Sequence, residues 1–147
     1  MIRAAGPGDL SEILRLYGQL NPDDPPLDPA TAAATFDGIL AASTCDLYVL
    51  EVDGRVVATA YLNLIPNLSR SARPYAVIEN VVVDAGLRGT GLGQQLMAGV
   101  LRVAWAAGCY KAMLATSSRN PATHAFYRAC GFSGDVKTAY VARPQNA

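Results

Sequence analysis

One stretch of the chain, residues 77–96, constrains the fold more than any other, because a predicted strand leads through glycines into a predicted helix. The strand is a nearly continuous run of β-branched residues that ends at Asp84, which is typical of a strand covered on both faces. After the glycines, apolar residues recur at the spacing of one helix face, namely at Leu92, Leu96, Val100 and Ala104. We therefore predict a strand, a tight turn and a helix in direct succession.

The turn between these two elements is almost bare of side chains, because glycines stand at positions 89, 91 and 93. The first N–H groups of a helix have no intrahelical partner, and the helix dipole is positive at that end. Glycines let an anion approach these groups closely, and Arg88 adds a positive charge at the entrance. Tight packing of strand against helix is the alternative, but each such glycine costs about 1 kcal/mol relative to alanine. The turn therefore predicts a phosphate-binding site.

Two common phosphate-binding motifs do not fit this turn. A P-loop requires a lysine and a serine or threonine after its last glycine, and neither follows Gly93. A dinucleotide-binding fingerprint fits poorly, because the glycines are evenly spaced and Leu96 stands where the third glycine belongs. The turn does match the pattern Arg-x-x-Gly-x-Gly through Arg88, Gly91 and Gly93, directly after a strand that reads Glu-Asn-Val-Val-Val-Asp.

A second motif lies downstream of the first. Residues 110–116 predict a short strand, and residues 121–130 predict a helix that begins with proline. Proline suits the first helical position, since the N–H that it lacks would have no partner there. The helix runs through Phe126 and Tyr127 to Gly131, which suits a left-handed C-cap, and Phe132 follows.

Together the two motifs resemble the acetyl-coenzyme A (acetyl-CoA) binding segments of the GNAT superfamily of N-acetyltransferases, over residues 2–142. The resemblance implies a GNAT-type α/β fold, with a mixed central sheet of about six to seven strands flanked by about four helices. A chain of 147 residues is too short for two ordinary domains, so we expect one domain over 1–147. Residues 108–111 are also similar to glucosamine-6-phosphate N-acetyltransferases, but Ala115 stands where we expect an aspartate, so we carry over only the superfamily.

The resemblance implies that acetyl-CoA donates an acetyl group to a primary amine of a small molecule or peptide. Backbone groups of Val81 and Val83 would pair with the pantetheine arm as an added strand, and Asn120 would bond to it. An N–H near Val81 or Val82 would polarise the thioester carbonyl, and the amides of the glycine turn would hold the diphosphate. The implied coenzyme site comprises Val81, Val82, Val83, Arg88, Gly89, Thr90, Gly91, Leu92, Gly93 and Asn120.

The resemblance also makes Tyr127 the predicted general acid. A phenol with a pKa of about 10 stays protonated at neutral pH and can protonate a thiolate whose thiol has a pKa of about 8.5. Without the resemblance, packing beside Phe126 would be the better interpretation of Tyr127. The general base stays open between Glu79, His124 and water. Partial burial at the sheet centre would raise the pKa of a carboxylate and favour Glu79 as the base, but Glu79 equally suits binding of a cationic substrate.

Charge and composition exclude several classes of function. Twelve basic side chains balance twelve acidic ones, so the chain has no basic field to collect nucleic acid or an anionic membrane. We find neither a secretory leader nor an apolar run of about 18 residues, so we expect a cytoplasmic protein without a membrane span. The three cysteines, Cys45, Cys109 and Cys130, lack Cys-x-x-Cys spacing, and there is one histidine. This pattern predicts buried free thiols and no metal site.

The remaining segments predict alternating elements. Residues 2–4 predict a strand, followed by helices over 10–20, capped at Asp9 or Ser11, and over 29–42. Strands are predicted over 47–52 and 55–65, joined by Asp53 and Gly54 in a type I′ turn, and a closing strand over 136–142. Loops are predicted over 21–29 and 66–74. Exposed edges and the C-terminal segment allow a homodimer.

A different class of function remains to be weighed, namely a regulatory module that binds coenzyme A (CoA) without turning it over. Tyr127 and Glu79 favour an enzyme, because a pure binding module would need neither residue. The acceptor amine cannot be derived from the sequence, since the charged residues of the loops could attract either an amine or an anion.

Overall fold

The computed structural model describes residues 1–145, which form two compact units, Met1–Leu114 and a second that begins at Ala115. Within these residues one mixed sheet has five strands in the order β1-β2-β3-β4-β5. They are β1 (Ile2–Ala4), β2 (Cys45–Val52), β3 (Arg55–Ile65), β4 (Tyr75–Val83) and β5 (Ala112–Met113). The first four strands are antiparallel neighbours, and β5 runs parallel to β4. The single domain over 1–147 stays a prediction.

The described residues contain five α-helices, four of them in the first unit. These are α1 (Leu10–Leu20), α2 (Pro29–Ala41), α3 (Ser69–Ala72) and α4 (Leu92–Ala106), and the second unit contains α5 (Pro121–Ala129). The predicted helices are confirmed to within a residue. The additional α3 is a single turn inside the predicted loop 66–74, and three of its residues, Arg70, Ser71 and Ala72, have a positive φ of 56° to 60°. In the described part of the chain, no helix has the length and apolar character needed to cross a membrane.

The core of the first unit lies on both faces of the sheet. On one face, Ile13 and Leu16 of α1 and Phe36 of α2 pack against Leu47 and Val49 of β2. Successive side chains of a strand alternate between faces, so the buried residues between these positions point to the other face, which α4 contacts along β2, β3 and β4. They include Leu50, Leu62 and Ile78, and α4 contributes Leu96, Met97, Val100 and Ala104. The sheet therefore lies between two helical layers, which confirms the predicted α/β class.

The predicted closing strand over 136–142 is wrong. These residues form no strand in the structure, and Val136, Tyr140 and Val141 are 73%, 93% and 74% exposed. Strand propensity reflects how well a side chain fits a pleated, half-buried surface, and no described strand offers these residues such a surface. The sheet accordingly has five strands among the described residues instead of the predicted six to seven.

Two local predictions are confirmed, one in full and one in part. Asp53 and Gly54 both have positive φ, 51° and 76°, as a type I′ turn between β2 and β3 requires. The three cysteines, all within the described residues, are free thiols, but only Cys109 is buried. Burial raises the pKa of the Cys109 thiol and opposes its ionisation.

Candidate active site

The middle of β4 contains a β-bulge that the sequence did not reveal. Val82 of β4 lies opposite Thr59 of β3, and Glu79 lies opposite Tyr61, so three steps along β4 match two along β3. Asn80 takes up the extra position with a φ of 51°. Asparagine is one of the few residues that tolerate this left-handed conformation. The register of the sheet therefore changes at Asn80.

The bulge determines toward which edge of β4 the backbone N–H and C=O groups point. Before it, the Ala76 N–H donates to the carbonyl of Lys111, on the β5 side, at 2.9 Å. After it, the Asp84 N–H donates to a carbonyl of β3 at 2.8 Å. Since neighbouring residues of a strand alternate, Val81 and Val83 direct their backbone groups away from β3, toward the β5 side. Without the extra residue, both would face β3.

This edge of β4 is open along most of its length. The ladder between β4 and β5 consists of the pairs Ala76 with Ala112 and Val77 with Met113. Among residues 1–145, no strand pairs with this side of β4 beyond Val77. The Val83 carbonyl accepts a hydrogen bond from Arg88 Nε at 3.2 Å. The edge has the geometry that an added extended segment requires.

The predicted coverage of β4 on both faces is wrong in part. Ile78 and Val82 are buried, but Val77, Val81 and Val83 are only half-buried. The core beneath α1 and α2 includes Val82, and the residues at its border, such as Tyr61, are only partly buried. One side of the strand is therefore accessible next to its open edge.

The glycine turn after β4 is built by left-handed backbone angles. A short 3₁₀ turn, Ala85–Leu87, follows Asp84, and Gly89 and Gly91 then have φ values of 78° and 86°. A Cβ atom at Gly89 or Gly91 would meet no protein atom within 4 Å. Glycine is therefore needed at these two positions because of its dihedral angles, since a side chain there would not clash with any other part of the protein.

The turn contains a row of backbone N–H groups without an acceptor among residues 1–145, of which Gly93 is buried and residues 89–91 and 94 are exposed. The first intrahelical bond of α4 runs from the Gln95 N–H to the Gly91 carbonyl at 3.0 Å, and no acceptor among the described residues serves the amides of residues 89–94. Gly91 is the N-cap and offers no side-chain acceptor, while the Thr90 hydroxyl donates to the Leu87 carbonyl at 2.6 Å. Exposed N–H groups at the positive end of a 15-residue helix favour an anion.

The start of the turn is anchored to α1 through Asp84. Arg15 Nη1 donates to the Asp84 carboxylate at 2.5 Å, and the Gly86 N–H donates to it at 3.2 Å. Arg15 also donates to the Val56 carbonyl at 2.9 Å, and the Ala85 N–H donates to Gln19 Oε1 at 2.8 Å. The hydrogen bond from Arg15, assisted by the Gly86 N–H, lowers the pKa of Asp84.

We expect Asp84→Asn to lower the free energy of unfolding at neutral pH and to have little effect in acid. A carboxyl group whose pKa is lowered by folding stabilises the protein above its ordinary pKa, here 3.8, and loses that effect as the pH falls through the lower folded value. The difference in the free energy of unfolding between the variant and the wild type should stay constant down to about pH 4 and become smaller below that pH. Urea unfolding across this range measures it, with Glu12→Gln as the control, because Glu12 pairs with Arg15 but is more exposed. A difference that persists unchanged in strong acid would contradict the expectation.

Glu79 lies opposite Tyr61, on the face of the sheet that α1 and α2 cover, but its side chain is exposed. The predicted partial burial is therefore wrong. The reason is that the core on this face ends at Tyr61, which is itself only partly buried, so the next position outward on β4 is open to solvent. The carboxylate is accessible to a dissolved amine.

Asn120 and His124 belong to the second unit, where both stabilise the start of α5. Asn120 Oδ1 accepts from the Ala122 N–H at 3.0 Å, so Asn120 is the N-cap, with Pro121 at the first helical position. His124 Nε2 lies 2.7 Å from the Ser118 carbonyl and must carry the proton, since a carbonyl can only accept. The sequence analysis missed the capping role of Asn120, although asparagine before proline is a common start of a helix.

Tyr127 lies in the last turn of α5, where a Schellman motif ends the helix. Gly131, with a φ of 91°, donates its N–H to the Arg128 carbonyl at 2.9 Å, and the Phe132 N–H donates to the Tyr127 carbonyl at 3.1 Å. The Tyr127 ring packs edge-on against Phe132, with centroids 6.2 Å apart, and lies 5.0 Å from Phe126. The predicted C-cap at Gly131 is confirmed. The ring of Tyr127 packs beside Phe126, as the sequence alone predicts without the family resemblance.

Comparison with known proteins identifies the class of enzyme. The sequence model of the acetyltransferase (GNAT) family matches residues 11–132. The chain is 34% identical over 136 residues to a glucosamine 6-phosphate N-acetyltransferase of Trypanosoma brucei brucei, which covers 89% of this chain and 87% of that protein. A putative acetyltransferase from Agrobacterium tumefaciens strain C58 has a solved structure with a TM-score of 0.93 and 46% identity, covering 98% of this chain and 99% of that one.

The chain belongs to the GNAT family of acetyltransferases. As predicted, it is an enzyme that transfers an acetyl group from acetyl-CoA to an amine, and these relatives give no support to a non-catalytic module. An aminoglycoside N-acetyltransferase solved in complex with CoA shares the fold, with a TM-score of 0.81 and 23% identity. Membership of the acetyltransferase family makes the cosubstrate one of the coenzyme A type.

Proposed function

We propose that β4 and the glycine turn hold acetyl-CoA, and that the acetyl group passes to the primary amine of a small molecule of the amino-sugar class. One observation carries the coenzyme site, namely the available N–H groups at two neighbouring places, the open edge of β4 at Val81 and Val83 and the turn over residues 89–94. The edge suits the amides of a pantetheine arm, and the turn suits a diphosphate. The amino-sugar class is supported by relatives named glucosamine 6-phosphate N-acetyltransferases.

The bulge favours the Val81 N–H over that of Val82 as the group that polarises the thioester carbonyl. Val81 directs its N–H to the open edge, whereas Val82 faces β3 by alternation. A fixed N–H dipole that needs no reorganisation stabilises the oxyanion of a tetrahedral intermediate. In this proposal Asn120 donates to the pantetheine arm through Nδ2, because its Oδ1 caps α5.

We propose Glu79 as the base that takes the proton of the attacking amine, directly or through water, because its exposed carboxylate lies on β4 one residue before the bulge. Glu79→Gln should lower kcat about 100-fold while the affinity for CoA stays unchanged. His124→Ala is the comparison, since His124 is the alternative base. A Glu79→Gln variant that raises the KM of the amine without lowering kcat would assign Glu79 to binding the cationic amine instead.

Thiol release from acetyl-CoA tests the proposed acceptor class. The amines compared are glucosamine 6-phosphate, glucosamine and a lysine-containing peptide, each against a blank without amine. We expect release that depends on the amine, with both sugars preferred to the peptide. Preference for the peptide would refute the amino-sugar class, and tight binding of CoA without release by a broader set of amines would contradict an enzyme.

A further inference from the structure

The glycine turn, which leaves β4 at residue 84 and enters α4 at residue 92, is attached to α1 at its start. The Asp84 N–H donates to the Val57 carbonyl of β3 at 2.8 Å, and the next N–H, that of Ala85, donates to Gln19 Oε1 of α1 at 2.8 Å. Among the described residues, this is the one hydrogen bond that joins the backbone of residues 85–91 to a strand or to a helix other than α4. The position of the turn therefore depends on Gln19 at one end and on α4 at the other.

The rest of the turn makes only local contacts. The N–H groups of Gly86 and Leu87 donate back to Asp84, at 3.2 Å and 2.9 Å. A Cβ atom at Gly89 would meet no protein atom within 4 Å, so no neighbouring element packs against the turn there. Glycine loses more backbone entropy on ordering than any other residue, and ordering at a binding site reduces affinity. A contact that fixes one end of the turn in advance lowers this cost.

Two side chains of α1 contact the first two residues after β4. Arg15 and Gln19 lie four residues apart and therefore on one face of the helix. Arg15 donates to the Asp84 carboxylate, and Gln19 accepts from the Ala85 backbone. A backbone N–H can only donate, so the amide oxygen of Gln19 is the group that matters in this contact.

We propose that Gln19 is a positioning residue for the coenzyme, because its side chain fixes the start of the glycine turn and thereby holds the N–H groups of residues 89–94 in place for the diphosphate. This inference rests on the proposed coenzyme site, and it assigns Gln19 no contact with the coenzyme. Without Gln19, coenzyme binding would also have to order the turn, which lowers affinity. The thioester lies against β4 in this account, so the chemical step would be unaffected.

Gln19→Met tests the inference, because methionine has a similar helix propensity and offers no amide oxygen. We expect the Kd of CoA to rise about fivefold, as loss of one hydrogen bond gives, and kcat at saturating acetyl-CoA to stay unchanged. The matched control is Asp28→Ala, which removes the side-chain acceptor of the Thr31 N–H at 2.9 Å in α2 and should leave the Kd unchanged. Melting temperatures of both variants show that each is folded.

S-acetylpantetheine provides the second arm, since it carries the thioester but lacks the diphosphate. Its kcat/KM should be the same for Gln19→Met and wild type, whereas the kcat/KM of acetyl-CoA should fall. An equal loss with both donors, or an unchanged Kd of CoA, would overturn the inference. If Gln19→Met binds CoA normally while Gly91→Asp does not, only the role of Gln19 fails. If Gly91→Asp also binds normally, the coenzyme site itself is wrong.

Discussion

Gly91→Asp is expected to abolish CoA binding, with a rise in Kd of at least about 100-fold. Gly91 has a φ of 86° and is the N-cap of α4, so any side chain there is strained. An aspartate also brings a negative charge to the N–H groups that we propose as the diphosphate site. At about 5 Å and an effective dielectric constant of about 20, this repulsion is about 3 kcal/mol, which corresponds to about 100-fold in affinity. Isothermal titration with CoA measures the change.

Gly108→Asp is the matched control for this substitution. Gly108 has a φ of 80°, a Cβ atom there would meet nothing within 4 Å, and it follows the C-terminal end of the same helix. The control therefore introduces the same strain and charge at the opposite end of α4. We expect it to lower the melting temperature and to leave the Kd of CoA within about twofold of wild type. Equal losses of affinity in both variants would mean that Gly91 acts through stability alone.

Tyr127→Phe is expected to lower kcat between about 100-fold and 10,000-fold, the range that a general acid contributes. The substitution keeps the ring contacts with Phe126 and Phe132, and the melting temperature of the variant shows that it is folded. The Kd of CoA should stay the same, because the proposed role concerns the departing thiolate and not binding of the coenzyme. Steady-state rates at saturating acetyl-CoA and amine measure the effect.

The control for Tyr127→Phe is Tyr140→Phe. Tyr140 belongs to the same unit and is 93% exposed, so loss of its hydroxyl should leave both kcat and stability at wild-type values. Full activity of Tyr127→Phe would rule out the phenol as the general acid, and water would then be the source of the proton.

The elements around the coenzyme site could be predicted from the sequence because their signals are local. Glycines with left-handed angles, proline at the start of α5 and the apolar period of α4 depend on a few neighbouring residues. The turn at Asp53 and Gly54 was predictable for the same reason. Such signals place the glycine turn and α5 to within a residue.

The features that the sequence analysis missed depend on partners far away in the chain. The bulge at Asn80 arises from the pairing of β4 with β3, and its one local signal is an asparagine inside a run of valines. The exposure of Glu79 depends on where the cover provided by α1 and α2 ends. Residues 136–142, where a closing strand was predicted, include strand-forming residues but have no neighbouring strand among the described residues. Strand propensity alone does not create a strand without such a neighbour.

Amide hydrogen exchange measured with and without CoA tests the coenzyme site most directly. CoA should slow the exchange of the N–H groups of Val81, Val83 and residues 89–94, because each would gain an acceptor. The N–H groups of Ala76 and Asp84, which already donate to backbone carbonyls, should exchange at unchanged rates. If residues 89–94 exchange equally fast at saturating CoA, the diphosphate is not held by this turn and the account is wrong.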